Sequence, residues 1–400
     1  MSYQPSDELL DKYAEVLINF ALNGGEGVKK GETVQLRVSE IAKPLLAALQ
    51  KAVLKAGANP LIFFSPDGLS RDYFDHASDE QLSFFAEKYY KGVVDEIDHT
   101  VAILSESDKH ELDGVESKKI MMAQKSMKPY MDWRRAKEGA GKYSWTLALY
   151  GTQAMADEVG MSLEEYWEQI IEACFLNEAD PAEKWKTLYT ELYDTKDKLD
   201  ALDMVRLHIE APDTDLWLDV GESRKWLGGS GRNIPSFELF ISPDWRGTNG
   251  HIQFTEPLYR YGQLVEEAYL EFKDGVVTKA TATKGEEMLN EMIAVENANK
   301  IGEFSLTDRR FSRITKFMGE TLYDENVGGT YGNTHLAVGS AYRDSYTGDI
   351  DSLSEADWED LGFNNSVVHT DIVATSNRKV TAVLRDGSEK VIYDEGQFTV

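Results

Sequence analysis

Two histidines in the last third of the chain stand beside residues that could bind a metal. In "NSVVHTDIV", His369 precedes Asp371 by two positions, among β-branched and apolar residues typical of a buried strand. Side chains at positions i and i+2 of a strand point to the same face, so this imidazole and carboxylate would converge. Such a pair suits a divalent metal. It equally suits a structural hydrogen bond in which the carboxylate orients the ring, and the pattern leaves both interpretations open.

The second histidine lies in "GGTYGNTHLAVGSAY". His335 follows a glycine-rich loop and begins a run of small residues, with Tyr342 seven positions later. Small residues allow close backbone approach, which a site packed around an ion often needs. A buried histidine bonded to a backbone carbonyl would fit the same pattern.

Two glutamates have comparably apolar neighbours. Glu238 lies in "NIPSFELFISP" and Glu303 in "IGEFSL". A buried carboxylate is costly unless it is paired or bound to a metal, although an alternating strand could instead point either one to water. Two histidines with three or more carboxylates form a common ligand set for two metals that share a water molecule.

The secondary-structure elements that must position these residues follow two different patterns along the chain. Short, nearly continuous apolar strands separated by helices indicate a parallel sheet covered on both faces; they are "TVQLRV", "PLIFF", "VAIL" and "WTLALY". From about Leu202 strand signals become denser, and Asp274–Gly275 and Asp386–Gly387 predict hairpins. We therefore expect an α/β N-terminal domain over residues 1–190. An α+β, largely antiparallel domain, which would contain the candidate metal ligands, is expected over residues 191–400.

Composition excludes several classes of function. The chain has 42 Lys and Arg against 70 Asp and Glu, a formal net charge of −28, which disfavours nucleic acids and anionic membranes as partners. Cys174 is the only cysteine, so neither an intrachain disulfide nor a cysteine-based zinc site is expected. The first residues lack a signal-peptide pattern, and no apolar run approaches the ~18 residues needed to span a bilayer. We expect a cytoplasmic protein.

One glycine-rich segment, "NGGEGVKKGET", lies just before a predicted strand. It lacks the Gly-x-x-x-x-Gly-Lys-Ser/Thr spacing, and a phosphate-binding loop must follow a strand and open a helix. We interpret it as an ordinary loop, which disfavours a nucleotide-binding α/β enzyme.

The sequence resembles the thermophilic-aminopeptidase family of two-metal metallopeptidases, the staphylococcal and Thermus-type enzymes, over nearly its whole length. Its front half and linker are similar in "LLDKYAEVLINFAL", "KKGETVQLRV", "AGANPLIFF" and "DPAEKWKTLYTEL". The most specific segments follow in the order of the family: "NIPSFELFISP", "IGEFSL", "DENVGGTYGNTHLAVGSAY" and "VVHTDIV". Two segments depart from the family pattern. Phe237 precedes the first glutamate, where the family usually has a small or acidic residue, and Ile241 stands after the following Phe, where the family usually has a threonine. The loop between Asn326 and His335 is also longer than usual.

The resemblance implies a ligand set and an activity. Its metal ligands would be Glu238, Glu303, His335, His369 and Asp371, with Tyr342 as a further ligand or a group that polarises the substrate. Glu238 or Glu303 would move a proton from water to the leaving nitrogen. The implied enzyme is a homodimer that releases N-terminal amino acids from short peptides with a free N-terminus. Two divalent ions, zinc or cobalt first and manganese or magnesium next, would activate the water.

Two other functions fit the same residues. A metallo-amidase would use the same ligands on non-peptide substrates, and a non-catalytic relative would keep the fold and bind peptides without metals. All five proposed ligand positions hold competent residue types, which disfavours the non-catalytic relative.

Overall fold

The computed structural model describes residues 3–260 and 263–400. Its helices are α1 (Asp7–Asn19), α2 (Lys43–Lys55), α3 (Ser70–His76), α4 (Asp79–Leu82), α5 (Glu87–Glu96), α6 (Ser117–Ser126), α7 (Lys128–Gly139), α8 (Gln153–Glu158), α9 (Leu163–Ala173), α10 (Pro181–Asp200), α11 (Glu286–Ile293), α12 (Thr321–Asp324) and α13 (Glu355–Asp360). Short 3₁₀ turns lie at Asn23–Gly25, Glu40–Ala42, Arg343–Ser345 and Ile350–Ser352.

The strands are numbered in chain order. They are β1 (Thr33–Ser39), β2 (Asn59–Ser65), β3 (His99–Leu104), β4 (Ser144–Leu149), β5 (Met204–Ala211), β6 (Thr214–Asp219), β7 (Leu227–Gly228), β8 (Asn233–Ile234), β9 (Glu238–Ile241), β10 (Asp244–Gln253), β11 (Leu258–Arg260), β12 (Gln263–Val265), β13 (Tyr269–Lys273), β14 (Val276–Thr281), β15 (Ile301–Thr307), β16 (Asn333–Gly339), β17 (His369–Ala374), β18 (Lys379–Leu384), β19 (Glu389–Asp394) and β20 (Gln397–Phe398).

The chain divides into two compact units. The first extends to Lys186 and includes Ser230–Ile234, and the second comprises Thr187–Gly229 and Pro235–Val400. The first unit contains a parallel sheet of order β2-β1-β3-β4-β8. Helices α1 and α2 pack against each other, and α2 also contacts β1 and β2. The apolar positions of α1 recur at helical spacing, so its buried residues form one face, and the Ser6 hydroxyl caps its first turn.

Strand β2 corrects one expectation. The apolar run "PLIFF" predicted a strand covered on both faces, but β2 is the edge of the sheet and much of it is exposed. Leu61, Ile62 and Phe64 keep 38%, 44% and 40% of their surface accessible. The apolar run therefore predicted the strand correctly and its burial wrongly, because a central strand and an edge strand can both be built from apolar residues.

The second unit is mostly antiparallel. Its larger sheet has the order β14-β13-β10-β6-β5-β18-β19-β20, and both predicted Asp-Gly turns connect hairpins in it, β13 to β14 and β18 to β19. A second sheet has the order β17-β16-β15-β9-β7, and β11 with β12 forms a separate hairpin. The predicted fold class, a parallel α/β part followed by a largely antiparallel α+β part, is confirmed. Across the described residues, no helix combines the length and apolar character that crossing a bilayer requires.

Candidate metal centre

Three neighbouring strands of the antiparallel five-stranded sheet, β15, β16 and β17, carry four of the predicted ligands. Glu303 of β15 lies opposite Ala337 of β16, which in turn lies opposite Asp371 of β17. Two residues farther along β15, Ser305 pairs with His335. Since side chains alternate along a strand, Glu303, His335, His369 and Asp371 all project from the same face.

Strand β9 adds the remaining glutamate. Glu238 is the first residue of β9, and it pairs with Thr307 of β15. The Ser305 hydroxyl donates a 2.9 Å hydrogen bond to Glu238 Oε2, which aims that carboxylate along the ligand face. The Asn326 side-chain carbonyl accepts a 2.8 Å hydrogen bond from the amide of Phe237, which anchors the entry to β9.

Small residues make room for the polar side chains. Ala337 lies between Glu303 and Asp371 in the register, and Gly339 lies opposite His369. Gly339 has φ +105°, and a Cβ there would collide with the carbonyl oxygen of Val368. A Cβ on Gly302 would meet the backbone of Ser340 in the same way. The small-residue run noticed in the sequence therefore serves close strand packing around the ligands.

The first group of ligands comprises Glu238, Glu303 and His335, all buried. His335 Nε2 lies 3.1 Å from Glu238 Oε2 and 3.1 Å from Glu303 Oε1. The three candidate donor atoms are within 4.8 Å of one another, a spacing at which one ion could contact all three.

The second group comprises Glu303, His369 and Asp371. His369 Nε2 lies 3.6 Å from Glu303 Oε2 and 3.4 Å from Asp371 Oδ1. Glu303 is thus common to both groups, with one carboxylate oxygen beside each histidine. That is the geometry of a carboxylate able to bridge two adjacent cations.

Both imidazoles are oriented by backbone carbonyls. His335 Nδ1 donates to the carbonyl of Glu325 at 3.2 Å, and His369 Nδ1 donates to the carbonyl of Ser340 at 2.7 Å. With Nδ1–H held in this way, Nε2 is the nitrogen left to act as a ligand, and in both rings it faces the carboxylates.

Burial and neighbouring charges perturb the pKa values in opposite directions. Burial raises the pKa of Glu303 to about 7 against the opposing effect of His335. For His369, burial by itself lowers the pKa, but Asp371 and Glu303 outweigh it and raise the value to about 9. The pKa of His335 is likewise raised, against burial, mainly by Glu238 and Glu303. The carboxylates therefore favour cationic partners inside the cluster.

Asp371 behaves in the opposite way. Burial would raise its pKa, but His369 and His335, with a contribution from Arg260, lower it to about 2. Asp371 is therefore an anion at neutral pH and a competent ligand.

Glu325 is a member of the cluster that the sequence analysis did not name. It follows α12 directly and is buried, and burial together with Glu238 and Asp371 raises its pKa well above the ordinary value. The signal available in the sequence was its place in "DENVGG", an acidic pair just before the glycine-rich loop. In a chain with 70 acidic residues, such a pair did not distinguish itself.

Tyr342 stands beside the second group. Its ring packs edge-on against His369, with centroids 4.9 Å apart, and its backbone amide donates to the Ser242 hydroxyl at 2.9 Å. Tyr342 keeps 43% of its surface accessible, and partial desolvation of the phenol together with the surrounding carboxylates raises its pKa above the usual value. All six residues predicted to form the site are thus gathered together: five supply the donor atoms of the two groups, and Tyr342 contacts His369.

The donor set fits divalent cations. Imidazole Nε2 atoms and carboxylate oxygens are ligands for zinc and related transition metals. Several buried carboxylates crowded around two histidines require positive charge, and a divalent ion in each group would supply it.

Known proteins resemble this chain over nearly its whole length. The family model described as thermophilic metalloprotease (M29) matches residues 6–398. Aminopeptidase PepS of Streptococcus thermophilus is 29% identical, covering 98% of this chain and 98% of that protein. Aminopeptidase AmpS of Bacillus subtilis is 27% identical, covering 97% and 98%.

The solved structure titled wild-type AmpT from Thermus thermophilus superposes with a TM-score of 0.84. It covers 98% of this chain and 99% of that one at 24% identity, a likeness that shows the fold. The resemblance drawn from the sequence segments is confirmed over nearly the whole chain. By that match, the chain belongs to the thermophilic metalloprotease (M29) family.

Proposed function

We propose that this protein is a metal-dependent aminopeptidase that releases N-terminal amino acids from short peptides and uses two divalent ions. The observation that carries the proposal is Glu303, whose two carboxylate oxygens face different histidines and belong to both ligand groups. The aminopeptidase activity rests on the names of the relatives, and the preference for short peptides rests on the resemblance in sequence.

The ligand groups define two adjacent sites. Glu238, Glu303 and His335 would hold one ion, and Glu303, His369 and Asp371 the other. Mixed nitrogen and oxygen donors suit zinc or cobalt best, with manganese and magnesium next. When bound, such ions lower the pKa of water and polarise a carbonyl group.

The residues of the chain supply the remaining functions. The carboxylates of the cluster favour a cationic group and would thus favour peptides with a free α-ammonium over N-blocked peptides. Tyr342 remains protonated at neutral pH because its pKa is raised, so its hydroxyl can donate a hydrogen bond to the substrate carbonyl oxygen.

Glu325 is the proposed proton carrier. Glu325 is a buried carboxylate whose pKa is raised by burial and by Glu238 and Asp371, and it belongs to neither ligand group, so its carboxylate is not already assigned as a ligand. One of its carboxylate oxygens would accept a proton from water and return it to the leaving nitrogen. Glu238 and Glu303, the carriers considered from sequence, would then serve as ligands.

A homodimer in the cytoplasm is the proposed state of the enzyme. The exposed edge of β2 supports the dimer. The backbone amide of Asn59 donates to the backbone carbonyl of Glu32 in the rest of the sheet. Because backbone groups alternate in direction along a strand, those of Pro60, Ile62 and Phe64 face the open edge. Around a twofold axis at Ile62, the amide of Phe64 would face the carbonyl of Pro60 of a second copy.

The activity is tested on metal-depleted protein to which metals are returned singly. Hydrolysis of amino-acid arylamides should appear with metal and fail on their N-acetyl counterparts, because the free amine is required. Equal hydrolysis of both would favour the metallo-amidase, and activity without metal would reject the site.

Metal stoichiometry tests the shared ligand. The wild-type protein should bind two equivalents of metal. Glu238→Gln and Asp371→Asn should each bind one equivalent. Glu303→Gln should bind no metal tightly, because Glu303 belongs to both groups. Glu96→Gln, an exposed residue of α5, provides the matched control. Two tightly bound equivalents in Glu303→Gln would contradict the bridging role.

A further inference from the structure

The outer edge of β17 is covered by the segment that leads into the β11–β12 hairpin. Thr255 and Glu256 both donate their amides to the carbonyl of Val373, at 3.1 Å each. Arg260, the last residue of β11, donates from Nη2 to the carbonyl of His369 at 3.4 Å. These carbonyls lie two residue pairs apart on the same side of β17, so Arg260 stands beside the ligand end of that strand.

Arg260 is close to the second ligand group. Its Nη2 contacts the backbone carbonyl of His369, which is a member of that group, and Asp371, the other member on β17, lies two residues farther along the strand. The groups named above around the cluster are carboxylates, imidazoles and a phenol, whereas a guanidinium remains a cation at any physiological pH. Arg260 itself is half-buried, so it is not sealed from solvent.

This charge has a consequence for the substrates. A protein of net charge −28 disfavours the approach of a substrate that carries a carboxylate. A guanidinium at the rim of the site offsets that repulsion. It carries five N–H donors in a planar fork, so it can hold a backbone carbonyl and a carboxylate at the same time.

We propose that Arg260 binds a carboxylate of the substrate, so that the enzyme favours acidic N-terminal residues or dipeptides with a free C-terminus. The proposal rests on the aminopeptidase function proposed above. Arg260 thus acts as a specificity determinant placed by the β11–β12 hairpin, while the ions and their ligands carry out the hydrolysis.

The two sources of the carboxylate are separated by matched substrates. Glu-arylamide against Gln-arylamide tests the side chain of the N-terminal residue, since the two differ only in carboxylate against amide. Ala-Ala against Ala-Ala amide tests the C-terminal group. For each pair, the measured quantity is the ratio of the two kcat/KM values.

In the wild-type enzyme at least one ratio should favour the carboxylate substrate. Arg260→Gln should lower that ratio at least 10-fold, chiefly through KM, because a bidentate ionic contact is lost. Arg260→Lys should fall between the two, since it keeps the charge without the fork. Arg135→Gln, which removes the same charge from an exposed position of α7, should leave the ratio as in wild type.

Two results would overturn the proposal. A ratio changed less than 2-fold by Arg260→Gln would show that no substrate carboxylate reaches Arg260. An equal loss on both members of each pair would assign Arg260 to supporting β17. If no arylamide or dipeptide is hydrolysed by the wild-type holoenzyme, the aminopeptidase function itself fails, and this result is distinct from the other two.

Discussion

At the scale of single residues, the site depends on how each side chain is held as well as on its type. Both histidines donate Nδ1–H to a backbone carbonyl, and that contact selects Nε2 as the ligand atom. Glu303 presents one oxygen to each ring. A carboxamide in its place would keep the shape and lose the charge that both groups share.

Glu325 provides a test at this scale. Glu325→Gln is isosteric and keeps the carbonyl that orients His335, so we expect both metals to bind and the unfolding temperature to hold. Without a proton carrier, kcat should fall by about 10²- to 10⁴-fold. Steady-state kinetics with metal analysis measures both quantities, and Glu96→Gln is again the control. A kcat within a factor of three of wild type would remove Glu325 from the proton path.

At the scale of elements, the pairing of three antiparallel strands determines the relative positions of the ligands. The register of β15, β16 and β17 places Glu303 level with Asp371 across Ala337, and His335 one row away. Every residue of β15 and β16 is buried, so a slip of one position would turn the ligands into the opposite side of the sheet. The small residues of β16 keep the strands close enough for the donor atoms to meet.

Gly339→Ala tests this close packing. Gly339 has a positive φ and a Cβ there would collide with Val368, so the free energy of unfolding should fall by about 3 kcal/mol. Gly387→Ala is the matched control, because Gly387 also has a positive φ but open space around it, and it should cost about 1 kcal/mol. Urea denaturation of the two variants measures the difference. Equal losses would mean that the contact with Val368 is unimportant.

At the scale of the whole molecule, the exposed apolar edge of β2 is the feature that a solitary chain leaves unexplained. Edge strands with open backbone groups tend to pair with other chains, and Pro60 is the kind of residue that an edge tolerates. The proposed homodimer would bury Ile62 and Phe64 and would extend the parallel sheet across the twofold axis.

Ile62→Asp tests the assembly. Two like charges brought together at the twofold axis oppose pairing, so light scattering after size exclusion should report a monomer for the variant and a dimer for the wild type. Val391→Asp, at a partly exposed apolar position of β19, should remain dimeric. A wild-type monomer, or a dimer that survives Ile62→Asp, would move the interface elsewhere or remove it.

Local patterns were sufficient for much of the architecture. A period of two predicted that His369 and Asp371 share a face, and Asp-Gly pairs predicted two hairpins that the structure contains. Ser6 caps α1, Pro181 begins α10, and Gly57 with its positive φ follows the end of α2, each for local reasons of capping and backbone geometry. These features need only neighbouring residues, so the sequence alone determines them.

The remainder depended on contacts between residues far apart in the chain. Which few of 70 acidic residues are buried is decided by strand register and packing, so Glu325 emerged only from the structure, and the wider ligand set was implied beforehand by family resemblance. The run "PLIFF" could equally have been a central strand, because apolar composition reports a tendency to be buried and not what is available to cover it. Hydrogen-bonded register, burial and pKa shifts are properties of the assembled sheet, and they decided where this chemistry lies.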